Sequence, residues 1–143
     1  MNFDARLNNI WWTLRLTFGL VPIVAGLDKF ANLLTNWEQY LNPAVPAMLH
    51  LSPVAFMHFV GVIEIAAGVL VLTPLTGYAS YIVMLWLLGI AGNLLSQGRY
   101  FDIAVRDIVL AIAAYSLARL TEVRQESLGE VREPRRDVSV QRT

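Results

Sequence analysis

Apolar residues dominate the chain from about Ile10 to Leu120, in four stretches set apart by polar, proline and glycine positions. The stretches run from Ile10 to Leu34, Pro53 to Leu72, Gly77 to Leu95 and Ile103 to Leu120. Each is close to the ~20 residues that a helix needs to cross a hydrocarbon core of ~30 Å. The pattern predicts an all-α integral membrane four-helix bundle. Its punctuation agrees. Pro53 opens the second stretch, where its missing N–H costs nothing. Pro74 and Gly77 mark a tight turn into the third, Gly98 signals its end, and Asp102 stands where an N-cap for the fourth would be. Residues 35–52, TNWEQYLNPAVPAMLHLS, hold two prolines and two aromatics. They are too broken to span and read as an interfacial loop or a short surface helix.

Composition strengthens the membrane reading. The 143 residues are 56% hydrophobic and 15% charged, against about 45–50% and about 25% in soluble domains. Net charge is zero, which leaves no overall basic field for nucleic acid, and no nucleic-acid partner is expected. There are no cysteines, which excludes disulfides, thiol catalysis and Cys-ligated metals. Charge gathers instead at the C-terminus. Residues 1–120 form the expected transmembrane domain. Residues 121–143, with five Arg, four Glu and one Asp, read as a charged tail that is mostly disordered, a short amphipathic helix continuing to about Val131. Arg6, Arg119 and the tail arginines share one side, whereas the opposite loops carry only Arg99. By the positive-inside rule both termini face the cytoplasm, and the bundle sits in the cytoplasmic (inner) membrane. Trp11 and Trp12 at one interface, and Trp37, Tyr40 and Tyr100 at the other, fit aromatic belts. Arg15 inside the first apolar run, with Asp28-Lys29 behind it, argues against a cleaved signal peptide.

The ionisable residues inside the spans carry the functional information, because a charge at mid-bilayer costs at least ~2.5–3.5 kcal/mol. At helical spacing Arg15, Gly19, Pro22, Gly26 and Lys29 share a face of the first helix, a stripe that admits a close neighbour. Gly61, Glu64 and Gly68 share a face of the second. Gly89 and Asn93 are one turn apart on the third, and Ala111 and Ala114 continue the face of Asp107 on the fourth. Depth arithmetic predicts an Arg15–Glu64 pair within the bundle, reached by a snorkelling arginine. It also predicts an outer polar cluster of Asp28, Lys29, Asn93, Arg106 and Asp107. Such a cluster either neutralises itself and fixes helix register, or lines a cavity for a polar head group such as a quinone or a small anion. His58, one turn into the second helix, is a weaker candidate as a metal ligand than as an ordinary hydrogen-bonding group, and His50 lies in the loop. No HExxH, phosphate-binding glycine loop or nucleophile elbow occurs, and a transporter-like broken helix has only Pro22 to suggest it.

Three segments resemble one family. RLTFGLVPIVAGLDKFANL, residues 15–33, is similar to the first helix of DoxX-family membrane proteins. GVIEIAAGVLVLTPLTGYAS, residues 61–80, is similar to the second, and AVRDIVLAIAAYSLA, residues 104–118, to the last. The likeness spans roughly residues 10–120 and rests on the order and spacing of all three motifs. It implies a four-helix bundle of the cytoplasmic membrane, with polar positions at Arg15, Lys29, Glu64 and Asp107. Some relatives are linked to sulfur oxidation as thiosulfate:quinone oxidoreductase subunits and others to oxidative-stress defence. Fold likeness does not transfer an activity. Two functions are therefore expected of this chain. One is a redox-associated subunit binding a quinone or similar lipid-soluble molecule in the outer half of the bundle. The other is a non-catalytic accessory subunit of a larger membrane complex, held by other subunits or by self-association. With no cofactor motif, the chain is not expected to run redox chemistry unaided.

Overall fold

The computed structural model describes residues 4–132. Every regular element among them is helical: α1 (Ala5–Ala31), a 3₁₀ turn (Trp37–Tyr40), α2 (Ala44–Met48), α3 (Pro53–Leu72), α4 (Thr76–Ser96) and α5 (Phe101–Arg132). Three of these, α1, α3 and α4, are long and apolar enough to cross a membrane. The apolar part of α5 carries Arg106, Asp107 and Arg119, a denser charge than the other three tolerate.

The helix ends follow from local chemistry, and several differ from the pattern-based bounds. α1 starts at Ala5 rather than Ile10 because the Asp4 carboxylate accepts from the Arg6 N–H. It stops at Ala31 rather than Leu34, where Asn32 turns left-handed at φ 50°. Asp28 then reaches back to accept from the N–H groups of Leu33 and Leu34. Ser52 caps α3 through the Ala55 N–H, with Pro53 in the first turn. The connection into α4 is only Thr73, Pro74 and Leu75, so Gly77 lies inside the first turn of α4 rather than in the bend. Gly98, at φ +64°, follows α4 as expected. Asp102 lies within the first turn of α5 rather than capping it. The helix runs past Leu120 without a break, through Gly129 to Arg132. Of the tail expected at residues 121–143, the part to Arg132 continues α5, and residues 133–143 lie outside the described residues.

The long helices form two intimate pairs, α1 with α3 and α4 with α5. In the first pair glycines face glycines. A Cβ built on Gly26 would lie 2.5 Å from the Gly61 carbonyl oxygen, and one built on Gly68 would collide with the Gly19 carbonyl. Backbones this close leave no room for a methyl group. Alanines do the same work in the second pair, where Ala91, Ala104, Ala111, Ala114 and Ala118 are all buried. The pairs join at the end where α1 begins, α3 meets α4 and α5 finishes, here called the terminal end. Trp11, Phe18, Val71, Val83 and Leu117 fill that junction. The opposite, loop end carries residues 32–52 and 97–100. Outward faces are mainly apolar, with Leu20, Val24, Val62, Leu85, Val109 and Ile112 among the exposed large side chains.

Candidate functional site

The two helix pairs part toward the loop end, and between them lies a cavity of about 1040 Å³. That is at the top of the ~300–1,000 Å³ typical of small-molecule sites. α1 supplies Pro22 and Ala25, α3 supplies Phe56 and Val60, and α4 supplies Trp86 and Gly89. Trp37, Tyr40 and Leu41 of the loop close its end. The walls are mainly apolar, and the polar groups among them are few. Gly89 contributes to the space directly, since a Cβ there would meet nothing within 4 Å.

Lys29 and Glu64 face the cavity as an ion pair, Nζ to Oε2 2.6 Å, both buried. The Lys29 ammonium also lies 3.7 Å from the centre of the Trp37 ring, a cation–π contact strengthened by exclusion of water. Asp107, 6% exposed, lines the same cavity and has no hydrogen-bond partner among the described residues. Trp86 Nε1–H is buried and equally without a partner. A buried donor left unsatisfied costs about 1–3 kcal/mol. Thus the Asp107 carboxyl group and the Trp86 indole N–H share one apolar chamber with no hydrogen-bond partner among the described residues. Arg106, exposed, stands at its edge.

The expected Arg15–Glu64 pair does not form. Arg15 donates from Nε to the Val71 carbonyl at 3.2 Å and from Nη2 to those of Leu72 and Thr73 at 2.6 and 3.0 Å. It closes the C-terminus of α3, whose last carbonyls have no helical partners. Gly19 packing on Gly68 sets the register, which brings Arg15 to Leu72. Side chains lean toward the N-terminus of their own helix, so in antiparallel α1 and α3 Lys29 and Glu64 lean toward each other. Arg15 leans away.

The expected outer cluster of five also divides. Lys29, Arg106 and Asp107 reach the cavity, and Asn93 borders it. Asn93 is committed to the loop: it donates to the Tyr40 carbonyl at 2.7 Å and accepts from the Asn42 N–H at 3.0 Å. Asp28 turns to the chain that follows it, accepting from Trp37 Nε1–H at 2.8 Å besides the two backbone groups. Its role is to hold Trp37 over Lys29. His58 stacks on Phe30 with ring centres 4.7 Å apart, and His50 sits exposed in the loop at φ 53°. Among the described residues no group of three His, Asp or Glu side chains is placed to hold a metal. Trp11 is core rather than belt: it is 3% exposed and donates to Thr121 Oγ1 at 2.8 Å.

Sequence reasoning missed Trp86. Its spacing from Gly89 and Asn93 puts all three on one face of α4, but an aromatic on an apolar helix carries no sign that its N–H is orphaned. No family model, curated protein or solved structure matches this chain.

Proposed function

We propose that the protein is a DoxX-like, multi-pass subunit of the cytoplasmic membrane that binds a quinone or a similar lipid-soluble molecule in the cavity between its helix pairs. The carrying observation is the coexistence of unpartnered Asp107 and Trp86 Nε1–H in one large apolar chamber beside the Lys29–Glu64 pair. A ring bearing carbonyl or hydroxyl oxygens offers the indole an acceptor and the carboxyl group a partner, while its hydrocarbon meets the apolar walls. Redox chemistry belongs to that ligand and to a partner subunit. The chain supplies binding and orientation.

In this reading α5 crosses the membrane with α1, α3 and α4, making a four-helix transmembrane bundle. Its charges do not oppose this: Arg106 and Asp107 turn to the cavity, and Arg119 pairs with Glu122 near the terminal end. Arg6, Arg15, Arg119 and Arg124 all lie toward that end, which supports the reading of both termini as cytoplasmic. A phosphatase fused after the C-terminus should be inactive in the periplasm, and activity there would reverse the topology.

The binding reading is tested by extracting lipids from protein purified in mild detergent. Quinone should copurify, and Asp107→Asn should release it at unchanged protein abundance. Quinone-free protein, isolated with a stoichiometric membrane partner, would instead support the accessory-subunit reading.

A further inference from the structure

We infer that the terminal end binds the phosphate of an anionic phospholipid between Arg15 and Arg124, at the opposite end of the molecule from the cavity. The Arg15 guanidinium carbon lies 4.8 Å from the centre of the Trp11 ring and that of Arg124 4.2 Å from it. The two charges are therefore within about 9 Å of each other. Like charges so close repel, the more so where the surroundings are apolar. Neither has a carboxylate at ion-pair distance among the described residues. The nearest acids in sequence are spent: Glu122 accepts from Tyr81 and from Arg119, and Asp4 caps α1. Glu126 is exposed and forms no ion pair with a described residue.

Donor bookkeeping points the same way. Arg15 spends Nε and Nη2 on the end of α3, leaving Nη1. Arg124 spends only Nε, on Asn8 Oδ1 at 3.3 Å, leaving both Nη groups. Two partly buried guanidinium forks with unspent donors fit the oxygens of a phosphodiester. The site lies level with the α3–α4 turn, whose carbonyls Arg15 holds, and beside exposed Trp12, whose ring centre is 5.0 Å from Arg15. An exposed indole at a helix end belongs at headgroup depth. From there Trp12, Leu16 and Leu20 make an exposed apolar track down α1 at four-residue spacing, along which acyl chains can lie. Free phosphate has no use for that track, so the ligand is a lipid.

Native mass spectrometry of the full-length protein in neutral detergent, titrated with phosphatidylglycerol or phosphatidylcholine, tests this. A one-to-one phosphatidylglycerol adduct should form with roughly tenfold preference, the scale of charge-assisted hydrogen bonds. Arg124→Gln, which leaves the Arg15 clamp on α3 intact, should remove most of the preference, and Arg99→Gln at the loop end should not. Equal binding of both lipids, or an unchanged preference in Arg124→Gln, would overturn the proposal. Displacement of the adduct by millimolar inorganic phosphate would overturn the lipid as its source.

Discussion

The two ends of the helix assembly are built from the same residue types to opposite ends. At the terminal end α1 and α3 meet α4 and α5 through Trp11, Phe18, Val71 and Leu117, and Trp11 is paired with Thr121 and Tyr81 with Glu122. At the loop end the same four helices separate, and Asp107 and Trp86 Nε1–H have no hydrogen-bond partner among the described residues. Glycine shows the contrast most clearly. At Gly26, Gly61 and Gly68 a neighbouring backbone occupies the space a Cβ would take, and at Gly19 the Leu72 side chain does, whereas Gly89 faces emptiness. A small residue in one place makes a contact and in the other preserves a void. Only the surroundings distinguish them.

That contrast can be broken at graded cost. Lys29→Met should be the most damaging, since it leaves Glu64 buried without its partner, a loss of roughly 3–5 kcal/mol. It would be read as a fall in the unfolding midpoint in detergent, and adding Glu64→Gln should restore most of it. If the single variant unfolds like the parent, the pair does not hold α1 to α3. Gly26→Ala comes next at about 1–3 kcal/mol, because the new methyl meets the Gly61 carbonyl and Ile65, so the helices must part. Trp11→Phe, which removes one buried hydrogen bond to Thr121 and keeps most of the ring, should cost about 1 kcal/mol. Gly89→Leu should change stability by no more than ~0.5 kcal/mol in the destabilising direction yet abolish quinone copurification by filling the cavity. Stable protein that still carries quinone would place the ligand elsewhere.

The extent of the helices was readable because a membrane core imposes both length and apolar character, and α3 and α4 fall within a residue of their expected bounds. The small-residue face of α1 was readable as well, since it needs only helical spacing. The partner of Glu64 was not. Its depth had been counted from the start of each helix, but register is set by which glycines nest together, and one sequence does not say which. Counting also ignores the lean of side chains, which alone brings Lys29 to Glu64. Asp28 and Lys29 looked like one polar pair, yet on a helix adjacent residues point about 100° apart, and here one stabilises a turn and the other a cavity. The cavity is a property of two helix pairs diverging, and no single helix records it.

Arg15 has a consequence for the order in which the chain is assembled. It lies in α1, which is made before α3, and its three acceptors, the carbonyls of Val71, Leu72 and Thr73, come 56 to 58 residues later. Until α3 is made, the Arg15 guanidinium lacks these acceptors, and α3 brings the groups that satisfy it. The glycine faces that knit α1 to α3 serve the same schedule. The pair, rather than the single span, is the unit within which the Arg15 guanidinium is satisfied.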